Sequence, residues 1–277
     1  MNKTDIGKVL SLSCVENYFL GYFQNKFDVR LLYTESFVPF NDVIESFLNG
    51  EVSYENYPLP RLQDVSEKLG LTSHTLKTEI CTEQNQLSLI RVNKEFFRNS
   101  KLLPWRTDHY IMLDKAMDEY TFLNNYPLSE GKINKDELEA IYDGACLLYR
   151  TENRFDIEKY EELRKLQYER IAKEAIKDVQ ISEGKIVLLR DATLLLKTLR
   201  SRLIKWMQYE GEKGRFDDDL SFQLLSDKLI KQYNELNVMI QLQLARKRTD
   251  IHVLNEKLSQ LCERERVWNR EIKIRRG

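Results

Sequence analysis

Apolar residues recur every three or four positions along much of this chain, which is the spacing of amphipathic helices. Two stripes in the N-terminal part have this spacing. They are Val15, Tyr18, Phe19, Tyr22 and Phe23, directly after Cys14, and then Leu62, Val65 and Leu69. The second stripe stops at Gly70, and glycine commonly follows a helix because it adopts a left-handed backbone at little cost. The pattern predicts one helix beginning at Cys14 and another ending before Gly70.

Three short runs are instead rich in leucine, β-branched and aromatic residues, which is typical of strands. They are residues 87–92 (LSLIRV), 110–113 (YIML) and 120–123 (YTFL). The polar segment DKAMDE separates the last two runs and fits a turn. We therefore expect an antiparallel hairpin that pairs 110–113 with 120–123 in a small antiparallel sheet.

The distribution of proline divides the chain near residue 128. All five prolines lie in the first 127 residues, although proline is the strongest helix breaker. Beyond them the apolar spacing is helical, and Asn134 and Glu137 have the spacing of a capping box. The predicted helices span about 135–150, 156–177 and 182–209, followed by two more. The sequence thus predicts an α+β protein with an N-terminal domain, 1–128, and an all-helical domain, 129–277.

The last two predicted helices have long apolar stripes. The stripe of the first comprises Leu225, Leu229, Tyr233, Leu236, Ile240 and Leu244. Such a stripe packs equally well inside its own helical domain or against a second copy. A homodimer is therefore left open.

The composition of the chain argues against several classes of protein. The net charge is −1, with 43 basic and 44 acidic residues, which argues against a nucleic-acid partner. No apolar run approaches the ~18 residues of a membrane helix, and charged residues interrupt the N-terminus where a signal peptide would be apolar. We expect a cytoplasmic protein without a membrane partner. The four cysteines show no CxxC pairing and no nucleotide-binding motif is present, so neither a metal nor a nucleotide cofactor is expected.

One set of residues could carry chemistry. Cys14 opens its helix just after Ser13, and the free amides and dipole at a helix N-terminus favour a thiolate, the reactive form of cysteine. His109 begins the first strand of the hairpin, and Asn124 and Asn125 end the second. An antiparallel hairpin returns Asn125 beside His109, so its amide could orient the imidazole. Cysteine, histidine and an orienting amide are what nucleophilic thiol catalysis requires.

These residues resemble a known family. Cys14 at a helix start, the segment PWRTDHYIML and the segment EYTFLNNYP are similar to the signatures of papain-like enzymes of the bacteriocin-processing peptidase-like group. Within that group the resemblance is to the butirosin biosynthesis protein H N-terminal domain family, and it covers roughly residues 10–128. It implies a papain-like fold for the N-terminal domain. It also implies that Cys14 is the nucleophile, His109 the general base and Asn125 the orienting group, with Asn124 as the alternative occupant.

The resemblance implies an activity and partners. Such enzymes transfer an acyl group from a carrier-protein pantetheine thioester in non-ribosomal peptide and polyketide biosynthesis, so an acyl- or peptidyl-carrier protein and a small-molecule acceptor are expected. The phosphopantetheine belongs to the donor, and the enzyme itself needs no cofactor. Trp105 and Arg106 would line the cleft beside His109, where an indole could contact an acyl chain and a guanidinium a phosphate; an ordinary surface loop is the alternative.

The sequence departs from the peptidases of this group before the cysteine. They have a glutamine there that helps to bind the oxyanion, and this chain has none between Gly7 and Ser13. The oxyanion would then depend on the Cys14 backbone amide and another donor, such as the Ser13 hydroxyl. We expect an acyltransferase that delivers to an amine, water or an internal nucleophile. The alternatives are a cysteine peptidase or amidase and a non-catalytic binding scaffold.

Overall fold

The computed structural model describes residues 12–54, 56–97, 109–116, 119–125, 128–152, 154–247 and 249–276. In chain order, the α-helices are α1 (Cys14–Phe23), α2 (Phe40–Leu48), α3 (Leu62–Lys68), α4 (Lys135–Ile141), α5 (Ile157–Lys173), α6 (Ile186–Glu212), α7 (Leu220–Arg246) and α8 (Ile251–Arg275). The strands are β1 (Thr72–Lys77), β2 (Leu87–Val92), β3 (Tyr110–Ala116), β4 (Glu119–Asn125), β5 (Leu128–Ile133) and β6 (Tyr142–Thr151). Short 3-10 helices span Val29–Glu35, Lys94–Phe97 and Glu183–Lys185.

The strands form one antiparallel sheet in the order β1-β6-β2-β3-β4-β5. The α+β class is therefore confirmed. The predicted hairpin is present, with Leu113 opposite Phe122 and Met112 opposite Leu123. The sheet is larger than the sequence indicated, because β1, β5 and β6 were not predicted as strands.

The helix predicted at about 135–150 is wrong over most of its length. Helix α4 ends at Ile141, and the next ten residues form β6. The sequence here is ambiguous, because Leu138, Ile141, Ala145 and Leu148 have helical spacing, although adjacent residues also suit a strand buried on both faces. Strand β6 hydrogen-bonds to β1 on one side and β2 on the other, which outweighs the helical alternative. The capping box of Asn134 and Glu137 is confirmed.

The chain forms two compact units whose bounds differ from the predicted boundary at residue 128. One unit contains residues 1–29 and 61–159, and the other contains residues 30–60 and 160–277. Residues 129–159 join the first unit because β5 and β6 belong to its sheet. The loss of proline after residue 127 marks a change in composition within that sheet rather than its end.

The first unit buries both faces of the central strands of the sheet. One face holds an apolar cluster that includes Ile90, Ile111, Cys146 and Leu148, and α4 packs on it through Leu138. The other face carries Tyr149, and Phe19 of α1 makes an edge-to-face contact with it at 5.3 Å between ring centroids. Successive side chains of a strand point to opposite faces, so each residue of the hairpin belongs to one of these two layers.

The second unit is helical, with α7 and α8 packed beside the long helix α6, as the sequence predicts. Its centre contains a buried ion pair: Arg200 Nε lies 3.0 Å from each carboxylate oxygen of Glu265, and Nη1 donates to the carbonyl of Val38 at 2.9 Å. Tyr233 donates its hydroxyl hydrogen to the same carboxylate. Among the described residues, no helix has both the length and the apolar character that crossing a membrane requires.

Gly70 provides a test of how the end of α3 packs against the segment that follows β6. It follows α3 with φ +64°, and a Cβ atom placed on it would lie 2.4 Å from the carbonyl oxygen of Arg154. Gly144 has a similar φ of +69° but no atom within 4 Å of such a Cβ. We expect Gly144→Ala to lower the free energy of unfolding by about 1 kcal/mol from backbone strain, and Gly70→Ala to lower it by about 3 kcal/mol because a clash is added. Urea denaturation measures both, and equal losses would contradict the packing described for Gly70.

Candidate active site

Helix α1 begins at Cys14 because Ser13 caps it. The backbone of Ser13 is extended, and its Oγ accepts a hydrogen bond from the Glu16 amide at 3.1 Å. Glu16 in turn accepts from the amide of Leu12, the residue before the cap, at 2.7 Å, which ties the incoming chain to the first turn. Cys14 therefore occupies the first helical position, where the dipole favours a thiolate and backbone amides point away from the helix. Ser13, expected as an oxyanion donor, uses its hydroxyl oxygen as the cap.

Tyr18 links this helix to the end of the hairpin. Its hydroxyl oxygen accepts a hydrogen bond from the Asn125 amide at 2.8 Å, and the hydroxyl donates to Asn125 Oδ1 at 3.3 Å. Burial raises the pKa of Tyr18, the Asn125 amide opposes the rise, and negative charge at Cys14 adds to it. Tyr18 therefore stays protonated and can donate. Cys14 precedes Tyr18 by four residues, so the two lie on one face of α1, about 6 Å apart along the axis. Cys14 is therefore on the face that meets this end of the sheet.

His109 is paired with Asn124. Its Nε2 lies 2.7 Å from Asn124 Oδ1, and both side chains are buried. A carbonyl oxygen only accepts hydrogen bonds, so this contact assigns the hydrogen to Nε2 and makes Nδ1 the basic nitrogen of the neutral ring. The ring also lies against Phe97 and Phe96, with centroid distances of 5.1 and 6.3 Å.

The side chain that contacts His109 is thus Asn124, the alternative that the sequence left open, whereas Asn125, the first expectation, contacts Tyr18 instead. The register explains this difference. Opposite residues of an antiparallel pair point to the same face, and Met112 is opposite Leu123. His109 lies three residues before Met112, Asn124 one residue after Leu123, and Asn125 two residues after it. Odd steps change the face and even steps do not, so Asn124 shares the face of His109, whereas Asn125 points towards α1.

Thus the His–Asn pair and α1 belong to opposite faces of the sheet. His109 contacts Phe96, which packs on Phe122 and the cluster around Ile111. A connection between the two layers runs through consecutive residues at the end of β4, where Asn124 binds His109 and Asn125 binds Tyr18. The structure therefore brings His109 and Asn124 together. It also joins α1, the helix that begins at Cys14, to the next residue of β4, Asn125.

The structure describes only some of the remaining candidate residues. Trp105 and Arg106 lie outside the described residues. Cys146 and Cys262 are buried, which raises the pKa of each thiol, as expected of packing residues. Within the described part of the chain, no group of three His, Cys, Asp or Glu side chains could hold a metal ion. Sequence reasoning missed Tyr18, which it assigned to an apolar stripe although its hydroxyl makes the specific contact.

The tautomer of His109 can be measured. We expect neutral His109 to carry its hydrogen on Nε2, because Asn124 Oδ1 accepts it, and the replacement Asn124→Leu to yield a mixture of tautomers. Long-range ¹H–¹⁵N NMR resolves the tautomers, and His109→Ala assigns the signal among only three histidines. Asn125→Leu is the matched control and should leave the tautomer unchanged. An Nδ1–H ring in the wild type would contradict the contact.

Comparison with known proteins adds no family to this description: no family model matches the chain, and no curated protein resembles it closely in sequence. The resemblance to papain-like acyltransferases accordingly depends on the chain's own residues.

Proposed function

We propose that this protein is a cysteine-dependent acyltransferase. Cys14 would be the nucleophile, His109 the general base acting through Nδ1, and Asn124 the group that holds the imidazole. The observation that carries the proposal is the buried hydrogen bond between His109 Nε2 and Asn124 Oδ1, which leaves Nδ1 as the basic nitrogen. Thiol catalysis also requires the Cys14 sulfur and His109 Nδ1 to meet at the hairpin end, to which the helix of Cys14 is bonded through Tyr18 and Asn125.

In the first step, the Cys14 proton moves to His109 Nδ1 and the sulfur attacks the carbonyl carbon of an acyl-pantetheine thioester. The Cys14 backbone amide, at the first helical position, would donate to the developing oxyanion. The intermediate breaks the bond between the carbonyl carbon and the pantetheine sulfur, which takes the proton from His109. An acyl-Cys14 thioester and a free carrier thiol result.

In the second step, an amine, water or an internal nucleophile attacks the acyl-Cys14 carbonyl. His109 accepts the proton of that nucleophile and returns it to the Cys14 sulfur, so the enzyme is regenerated. A thioester is the preferred donor because a thiolate leaves readily, whereas an amide requires protonation of a poor leaving amine. The donor would be an acyl- or peptidyl-carrier protein of natural-product biosynthesis in the cytoplasm, and the acceptor a small molecule.

A second candidate is a non-catalytic binding module. The observation that favours it is the position of His109, which packs on Phe96 and Phe97 on the face opposite α1. In that case the hydrogen bond to Asn124 serves to satisfy a buried imidazole. The two candidates differ in one measurable property, which is the reactivity of Cys14.

Acylation of Cys14 tests the proposal directly. We expect incubation with acyl-pantetheine thioesters to add the mass of one acyl group to the wild type, and Cys14→Ala to abolish the adduct. His109→Ala should slow acylation by at least about 100-fold, because general-base catalysis is lost. Intact-protein mass spectrometry measures each, with the partly buried Cys81→Ala as the matched control that keeps wild-type behaviour.

Parallel incubation with peptide amides separates acyl transfer from peptidase activity, because turnover of amides would contradict thioester specificity. No adduct from any donor, together with a Cys14 that iodoacetamide does not modify, would favour the binding module.

The pH dependence of acylation tests the role of Asn124. Asn124→Asp places a carboxylate against Nε2, and this negative charge stabilises the imidazolium, so the pKa of His109 should rise. The limb of the pH–rate profile that reports loss of the His109 proton should move to higher pH by the same amount. Asn125→Asp, whose side chain points to the other face, should cause a smaller shift. Equal shifts would contradict a specific role for Asn124.

A further inference from the structure

The connection between β1 and β2 crosses the strand that separates them. Both strands pair antiparallel with β6, one on each side of it, so β1 and β2 run in the same direction. The chain that leaves the end of β1 must therefore pass across β6 to reach the start of β2. Residues 78–86 make this passage without a helix or a strand, and we call them the crossing segment.

The crossing segment brings two cysteines together. Cys146 lies on β6, is fully buried and belongs to the apolar cluster on one face of the sheet. Ile80 and Cys81, both in the crossing segment, pack on this same cluster. The segment therefore passes over the face of β6 from which the Cys146 side chain points.

A hydrogen bond joins the two cysteines directly. The Cys146 thiol donates to the carbonyl oxygen of Cys81, with 3.3 Å between sulfur and oxygen. A carbonyl oxygen lies about 2.4 Å from its own Cα, so the Cys146 sulfur is at most about 5.7 Å from the Cys81 Cα. A disulfide sets that distance at roughly 4 Å. A shift of at most about 2 Å in an irregular segment, with rotation of the Cys81 side chain, is therefore enough to join the two sulfurs.

The two thiols differ in their access to solvent. Cys81 is only partly buried, and its thiol donates to Glu83 Oε1 in the same segment at 3.9 Å. Cys146 is inaccessible to solvent, and burial raises the pKa of its thiol. An oxidant from solution therefore meets Cys81 first, while Cys146 waits beside it as the second thiol. Redox-sensitive pairs commonly combine an accessible cysteine with a resolving cysteine in this way.

We propose that Cys81 and Cys146 form a reversible disulfide and that hydrogen peroxide is the oxidant. The Cys81 sulfur attacks one peroxide oxygen, the O–O bond breaks, and Cys81 sulfenic acid and one water result. The Cys146 sulfur then attacks the Cys81 sulfur, the S–O bond breaks, and the departing hydroxide takes the Cys146 proton as a second water. The two thiols thus lose two electrons and two protons, and the peroxide gains them.

The disulfide ties the crossing segment covalently to β6. It cross-links two positions that are far apart in sequence, and such a link restricts the unfolded chain more than the folded one. The site is independent of the proposed acyltransferase activity, because Cys14 takes no part in it. Its failure would therefore leave that proposal untouched.

Peptide mapping tests the pairing. The wild type is treated with hydrogen peroxide, the remaining thiols are blocked with N-ethylmaleimide, and the protein is digested with trypsin without a reductant. We expect one linked product of residues 78–91 and 136–150, the tryptic peptides that carry the two cysteines. Dithiothreitol should separate it into its two peptides. The same treatment in concentrated urea should show no preference for this pair, because only the fold brings the two thiols together.

Single replacements separate the two roles. Cys146→Ala should stop the reaction at Cys81 sulfenic acid, which dimedone traps as an adduct, because the second thiol is missing. Cys81→Ala should slow the loss of the Cys146 thiol by at least about tenfold, because the accessible thiol is missing. Cys262→Ala removes a buried cysteine of the other unit and is the matched control. It should form the linked product at the wild-type yield, and so should Cys14→Ala.

Three results would overturn the proposal. One is a wild type whose four thiols all stay free at a peroxide concentration that oxidises free cysteine. Another is Cys81 that ends as a sulfinic acid without a linked product. The third is a set of links from Cys81 to the other cysteines at equal yield.

Urea denaturation provides a second measurement. We expect the oxidised wild type to unfold at a higher urea concentration than the reduced protein, because the cross-link restricts the unfolded chain. Cys81→Ala, given the same peroxide treatment, should show no such rise. A midpoint that does not rise on oxidation would contradict a bond that the folded sheet accommodates.

Discussion

The sheet depends on strand β6, which hydrogen-bonds to β1 along one edge and to β2 along the other. Without this strand, β1 would have no partner, since β1 and β2 follow one another in sequence but not in the sheet. Burial of Cys146 and Leu148 on one face and Tyr149 on the other adds an apolar contribution to each layer. A strand buried on both faces also explains the unbroken apolar run at residues 145–149 (ACLLY).

Because both faces are covered at the centre of the sheet, the pleat of a strand there determines which layer each side chain enters. The β3–β4 hairpin shows the consequence. Asn124 turns into the layer of Phe96 and Phe97 and binds His109, while its neighbour Asn125 meets Tyr18 of α1. One dipeptide thus satisfies a buried imidazole on one face and a buried phenol on the other. Cys14 and His109 approach the end of the sheet from different layers. The proposed chemistry therefore requires their side chains to meet at that end.

The helical unit combines an apolar interior with a buried charge. Arg200 lies in α6 among leucine residues, yet its guanidinium pairs with Glu265 and donates to the carbonyl of Val38. Tyr233 donates to the same Glu265 carboxylate. Removing Arg200 would leave the buried carboxylate of Glu265 without this counterion, which typically costs several kcal/mol, so the pair constrains how the helices meet.

The amino-acid sequence by itself determined the α+β class, the β3–β4 hairpin, the start of α1 at Cys14 and the long helices of the C-terminal part. These features depend on local periodicity, caps and turns, which a short window of sequence contains. Tertiary structure alone decided that residues 142–151 form a strand, that Asn124 rather than Asn125 holds His109, and that Tyr18 is a polar contact. Each of these depends on a hydrogen-bonding partner distant in sequence or on a strand register. A shift of one residue reverses every side chain of a strand, and only the assembled sheet excludes that shift.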